Sequence, residues 1–408
     1  FAWLVRRLKA MSAPEVAWRI SQKAIQKSEE NRFKSRKTAV TEILFNEKLS
    51  ALQLDADRMH LNWDNKTFSL GTEIPLLGGY HYETYKKRWN AGFQTENNWP
   101  EQFSYGMEYK QRDDIGDART NWELNRHFQF ALLAKVYYVS GDKKVLLEFE
   151  NLFNDWNQKN PFLWGISWTS VMEIAIRCSN WCYAWCFLKK AGAPDKLSVQ
   201  LQTGILNMTD YIARHYSRYS SANNHLIVEA YAIGQTGVLC DYKPWIDLAV
   251  NILTRELPLQ NYSDGVNKEL SLHYQSFYME AMGLMMRLLV KNKISVPKNW
   301  KPTLKKMCSY MADCMGDYGE MMVFGDDDEG KILDLQGGFN HYQYVLGLFS
   351  FLLDEQYINL HKVGNENLNW LFSTEDCNIA LSKSLYQVPL DACYKCGGNT
   401  ILRSRDHR

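Results

Sequence analysis

From residue 119 onward the chain repeats one pattern, apolar residues at three-to-four spacing followed by a short polar turn. That period, and not the alternation of a strand, commits the chain to helix after helix. The spacing predicts a first helix over Asn121–Val139, closed by Ser140-Gly141-Asp142, and a second over Lys144–Trp156, ended by Asn157 to Pro161. Further pairs follow at 168–191 with 194–216, 223–239 with 244–256, and 267–291 with 299–315, and a last helix spans 339–354. Pro194, Pro244 and Pro297 sit at boundaries, where proline begins or interrupts a helix. Antiparallel helix pairs recurring at intervals of about 45–50 residues predict a helical solenoid or an α/α toroid. No sequence repeat or armadillo-like signature supports a binding array, and the long irregular insert 318–337 is easier to place at the mouth of a toroid.

The flanks differ. Residues 60–117 are loop-rich, with Gly71, Gly78-Gly79 and Trp99-Pro100 and room only for short strands. Beyond the helices, Ala380–Leu390 and Thr400–Arg403 alternate like strands around a Gly397-Gly398-Asn399 turn. The expected division is therefore a basic arm and loop-rich lead-in over 1–117, a toroid over 118–377, and the start of a β region over 378–408 that reads as cut short at Arg408.

Lys+Arg 47 against Asp+Glu 46 leaves no general basic excess of the kind that coats nucleic acid, so no nucleic-acid partner is expected. The charge is uneven: residues 1–37 hold ten Lys/Arg and three Asp/Glu. The apolar start Phe1 to Val5 is broken by Arg6 and Arg7, far short of the ~20 residues of a membrane span or the ~7–15 of a signal core. No transmembrane segment is predicted, and a start at Phe1 in place of Met leaves a preceding leader open. Six of the nine cysteines lie in apolar helical patterns, where buried thiols are common, so no disulfide framework is expected. Cys393 and Cys396 have CxxC spacing but no second pair to complete four zinc ligands, and neither a metal nor a cofactor is expected. Trp63, Trp89, Trp99, Trp164 and Trp168 fall in loops and helix starts, which suits either sugar stacking or a large core.

Three segments crowd polar and aromatic groups at helix starts, as a cleft requires: Asp114 to His127, Gly165 to Arg177, and Ser220 to Tyr231. Ser170, Glu173 and Arg177 share one helical face, where Glu173 and Arg177 can also form an internal pair. Asn223, Asn224 and His225 exceed what one N-cap needs. His273, Tyr274, Gln275 and Tyr278 crowd a fourth helix start. The run Asp326-Asp327-Asp328-Glu329 lacks the alternation of an EF-hand and reads as a structural or cleft-rim loop. Serine-nucleophile, Walker and dinucleotide motifs are missing.

Taken in order, Leu4 to Ser12, Gly116-Asp117 with Asn121 to His127, Trp168 with Glu173 and Arg177, Asn223-Asn224-His225, Glu269 with Ser271 and Tyr274, and Phe324 to Gly330 resemble the heparinase II/III family of polysaccharide lyases, most closely its heparinase III-like branch. The resemblance implies a mainly α fold, an incomplete (α/α) toroid followed by an antiparallel β-sandwich, with the active site between them. It also implies a bacterial, periplasmic or cell-envelope enzyme acting on an acidic polysaccharide. The implied chemistry is β-elimination at a uronic acid, in which the C5 proton leaves only if the neighbouring carboxylate is neutralised. Asn224, with His225 beside it, is the candidate to hold that carboxylate, and Tyr274 the candidate acid and base. Asn121, Trp122, Arg126, Trp168, Glu173, Arg177, Asn223, Gln275 and Tyr278 are the candidate substrate contacts. Gln275 stands where many relatives carry His, and no His-x-His-x-Asp segment precedes Arg408; His407 does not match it. Competing readings are a toroid glycoside hydrolase, using two of Glu123, Glu173, Asp264 and Glu269, and an inactive carbohydrate-binding or assembly protein.

Overall fold

The computed structural model describes residues 11–34, 52, 54, 73–76, 80–83, 86–316 and 319–403. Phe1 to Arg7, the first part of the Leu4 to Ser12 motif, Trp63, Gly71, Gly78-Gly79 and His407 lie outside the described residues. The amino-terminal region is not only a basic arm. It contains helix α1, Ala13–Phe33, started by Ser12 with Pro14 in its first turn. Glu29 on α1 docks it by accepting hydrogen bonds from Tyr105 and His215 and pairing with Arg214. The hairpin of β1, Glu73–Leu76, and β2, Tyr80–Glu83, supplies the short strands expected of the lead-in.

The predicted first helix is two helices, α2, Ala118–Leu124, and α3, Phe128–Ser140. His127 separates them at φ 62, a left-handed conformation the apolar period does not reveal. The ring of buried His127 accepts a hydrogen bond from the Trp181 indole at 2.8 Å, which holds the break in place. Then follow α4, Lys143–Lys159; α5, Val171–Lys190; α6, Asp195–His215; α7, Asn224–Leu239; α8, Lys243–Gln260; α9, Leu272–Lys291; α10, Trp300–Cys314; and α11, His341–Leu352. Each lies within a few residues of its predicted span.

Two kinds of helix alternate. α5, α7 and α9 are buried on nearly every side, whereas α4 buries one stripe, Phe149, Leu152, Phe153 and Trp156, at the spacing of a surface helix. The buried set forms the inner wall, α3 on α5, α5 on α7, α7 on α9 and α9 on α11, and α4, α6, α8 and α10 back it from outside. This is the incomplete α/α toroid. The segment Ile332 to Leu335 runs inside the arc. Its backbone is tied to α9 by Glu280, which accepts Ile332 N at 2.9 Å and Leu333 N at 3.1 Å, and to α5 by Asn180 Nδ2, which donates to Ile332 O at 3.2 Å. Lys135 on α3 donates to Leu335 O. Most buried polar groups are satisfied in this way.

The carboxyl-terminal region departs from expectation. Ala380–Leu390 is not a strand: helices α12, Glu366–Leu371, and α13, Thr374–Leu381, occupy the ground before it, the latter begun by a capping box between Ser373 and Asp376. The strands are β3, Asp391–Tyr394, and β4, Asn399–Leu402, joined across the predicted glycine turn. The hairpin docks on the toroid through Asp264, whose Oδ2 accepts Cys396 N at 2.7 Å and Gly397 N at 3.0 Å, and through Asp313, which accepts the hydroxyls of Tyr386 and Tyr394. No described helix is long and apolar enough to cross a membrane.

Candidate active site

Residues in the first two turns of three neighbouring inner helices, Met172 and Glu173 of α5, Asn224 and His225 of α7, and Tyr274 and Phe277 of α9, line one cleft. Their amino-terminal ends therefore meet at the same mouth of the arc, where the positive ends of three helix dipoles favour an anionic ligand. The cleft has an outer pocket of about 230 Å³ and an inner recess of about 60 Å³, and Arg126, Met172, His225, Tyr274 and Asp328 belong to both.

Asn223 is the N-cap of α7, its side-chain oxygen accepting His225 N at 3.2 Å. Capping uses that residue, and the two that follow are left for the recess. Asn224 is nearly buried, and Glu269 holds it twice: Oε1 accepts its backbone N–H at 3.2 Å and Oε2 accepts Nδ2 at 3.4 Å. One amide hydrogen is thereby fixed and the other is directed. Glu269 is itself seated by a relay, its N–H donating to Asn267 Oδ1 at 2.9 Å and Asn267 N–H to Gln275 Oε1 at 3.0 Å. Gln275 Nε2 donates to Gly265 O at 3.1 Å and Met307 O at 3.3 Å, so Gln275 anchors the loop behind the site and does not line the cleft.

Arg126 and Glu173 form a buried two-point ion pair, Nε to Oε2 at 2.7 Å and Nη2 to Oε1 at 3.0 Å. Burial alone would lower the guanidinium pKa, but Glu173 more than offsets it, so Arg126 stays charged. The Glu173 partner expected from helical spacing, Arg177, is elsewhere. Its guanidinium is 0% exposed, donates to Asn125 O and Ser167 O, and sits over the Trp156 and Trp168 rings at 5.1 and 4.6 Å. Trp168 is buried in that stack with its indole donating to Asn160 O. Asn121 is likewise consumed, Nδ2 donating to Trp89 O and Ala91 O at 2.9 Å each. Tyr278 is fully buried beneath the site, its pKa pushed up by burial. Asn121, Trp168, Arg177, Gln275 and Tyr278 do not line the cleft, and their polar atoms or rings are turned into the protein. Trp122, Arg126, Glu173, Asn223, Asn224, His225 and Tyr274 do line the cleft.

Burial, reinforced by Arg126, pushes the His225 imidazole below its ordinary pKa against the opposing pull of Glu173 and Asp328. Burial, with Asp328, Asp326 and Glu269 adding to it, pushes the Tyr274 phenol up to about 12. At neutral pH the cleft therefore offers a neutral imidazole and a protonated phenol. Burial and the neighbouring carboxylates thus leave Tyr274 suited in the free chain to give a proton rather than to take one.

Sequence reasoning missed Arg119 and Met172 as lining residues, and did not count Asp328 or Glu269 among the substrate contacts. Asp328 was legible as part of a cleft-rim loop; it is set by Gly330 N donating to Oδ1 at 3.2 Å, with His273 beside it. Asp264 does not line either space. Among the described residues no cluster of His, Cys, Asp or Glu suited to a metal is found.

A family model for the heparinase II/III N-terminus matches residues 82–350, and the chain belongs to that family. The heparin-sulfate lyase of Bacteroides stercoris is 25% identical over 238 residues, covering 52% of this chain and 35% of the relative. The heparin-sulfate lyase of Bacteroides thetaiotaomicron is 28% identical over 210 residues, covering 49% of this chain and 29% of the relative. The chain thus spans about a third of the length of these curated relatives. A solved heparinase III structure superposes with a TM-score of 0.45 at 22% identity, over 64% of this chain and 42% of that one.

Proposed function

We propose that this chain carries the toroid share of a polysaccharide lyase that cleaves a uronate-containing glycan by β-elimination. The observation that supports it most is that Asn224, His225 and Tyr274, from the starts of two different helices, line one recess. The names of the similar proteins, heparin-sulfate lyases, favour a glycosaminoglycan as the polysaccharide.

The chemistry follows from the groups present. The uronate carboxylate lies at the convergent helix starts, and the Asn224 amide hydrogen not used by Glu269 donates to it. As the C5–H bond breaks, charge builds on that carboxylate, so a donor aimed there stabilises the transition state more than the ground state. Neutral His225 takes the C5 proton, the C4–O4 bond breaks as the C4=C5 double bond forms, and protonated Tyr274 gives its proton to the departing O4. Arg126, neutralised by Glu173, shapes the floor without adding a full positive charge.

The test is incubation of the protein with heparan sulfate while ultraviolet absorbance and new reducing ends are followed together. Elimination yields both, the absorbance coming from the conjugated double bond. Reducing ends without absorbance would mean hydrolysis and would overturn the reading.

A further inference from the structure

Beside the cleft lies a larger groove of about 450 Å³ that shares Arg119 and Trp122 with the outer pocket. The central pocket, about 230 Å³, falls below the ~300–1,000 Å³ of sites that enclose a ligand, whereas the groove falls within it. A polymer seated at the centre must continue somewhere, and the groove opens directly from it.

We infer that this groove is a glycan subsite that binds the polysaccharide flanking the scissile residue, with Tyr109 as its sugar-facing ring and Lys110 as its anion contact. The inference rests on the reading of the cleft as a uronate site. The Tyr109 ring stands edge-on to Trp122, centroids 5.3 Å apart, giving two aromatic surfaces at the junction of groove and pocket. The Trp122 indole is held by Ile166 O at 3.1 Å and Thr169 Oγ1 at 3.0 Å, so its position is set before a sugar arrives. The three cations of the groove are not equivalent. Arg112 is clamped by Asp114 at 2.7 Å through both Nε and Nη2, and Asp117 clamps Arg119 at 2.9 and 2.6 Å. Lys110 is exposed and has no ion-pair partner among the described residues, so it can meet a carboxylate or sulfate without first breaking a pair.

The wall is preformed. Met107 and Ile115 anchor the loop in a small core with Trp99, Ala118 and Ile166, and Asn97 Nδ2 donates to Asp114 O at 2.7 Å. Gly116, at φ 134, closes the floor against Gly92, where a Cβ would come within 2.5 Å of Gly92 O. A rigid wall spares the ordering cost of binding.

The test compares wild type, Tyr109→Ala and Lys110→Glu for binding of size-fractionated heparan sulfate disaccharides, tetrasaccharides and hexasaccharides by calorimetry. Wild type should gain at least ~10-fold in affinity between the shortest and longest ligand, and both variants should lose most of that gain while binding the disaccharide normally. Equal affinity of variants and wild type for the hexasaccharide would overturn the groove assignment and leave the cleft reading standing. Failure of wild type to bind any length would overturn the cleft reading, and the groove with it.

Discussion

Replacing Glu269 by Gln preserves the side chain's shape and removes its charge, which isolates what Glu269 does for Asn224. In the native site both carboxylate oxygens accept from Asn224, at 3.2 and 3.4 Å. A Gln can accept once, through its oxygen, and its NH2 then opposes the Asn224 NH2, donor against donor. The amide relieves this by turning over, which brings Oδ1 to the recess and sets an acceptor against the substrate carboxylate. The two bonds are long for a charged acceptor, so the direct cost to folding is at the low end, ~1.5 kcal/mol. The catalytic cost is larger: loss of one aimed donor is worth ~10²–10³ in kcat, with KM little changed because the contact strengthens only as charge develops. Burial, and Asp328 beside it, hold the Glu269 pKa above its ordinary value, so wild-type activity falls as pH drops through that raised pKa and the carboxylate takes a proton. Glu269→Gln should lose that limb. Steady-state rates by product absorbance across pH, with thermal melts to confirm folding, check both points. A kcat within a few-fold of wild type, in a folded variant, would refute the positioning argument.

Glu173→Gln strands a buried Arg126 and should cost ~3–5 kcal/mol by denaturant midpoint, whereas the double variant Arg126→Met with Glu173→Met should cost far less, because an ion pair removed whole leaves no unpaired charge. Equal costs for the two would show that the pair itself carries the stability. Glu229, fully buried, is pushed up to about 8 by burial, chiefly, although Ser217 donates to it through N and Oγ. The folded state then holds a proton that the unfolded state releases above the usual carboxylate range, so this group makes stability fall as pH rises from about 4.5 to about 8. Glu229→Gln should flatten that slope and stabilise the protein at pH 8 by roughly 3–5 kcal/mol; an unchanged slope would place an ionised carboxylate there.

The helical frame could be read from the chain because its boundaries are local events. Apolar spacing and the prolines at 194, 244 and 297 place helix ends within a few residues of those observed. The break at His127 could not be read, since the apolar period runs through it and the cause is a hydrogen bond from Trp181, far along the chain. The same limit governs the site. Helical spacing offered Arg177 as the partner of Glu173, but the partner is Arg126 on another segment, and Arg177 is enclosed by two tryptophans instead. Residues were legible as belonging to a cleft where several polar groups stood at one helix start, as at Asn224 and His225. Which ones face inward depends on backbone carbonyls such as those of Trp89, Gly265 and Met307, which no side-chain pattern encodes. The strand expected over Ala380–Leu390 also failed: its first two residues close the helix begun by the Ser373–Asp376 capping box, and beyond them Ser384 and Tyr386 pair with the single residue Gln356.

The measurement that bears most directly on the account is the rate at which unsaturated uronate appears from heparan sulfate with Tyr274→Phe beside wild type. The ring and its packing survive and only the hydroxyl of this recess-lining residue is lost. A proton donor removed from the transition state predicts a fall of at least ~10² in kcat with binding of the oligosaccharide retained. Turnover equal to wild type would remove Tyr274 from proton transfer and contradict the mechanism built on this cleft.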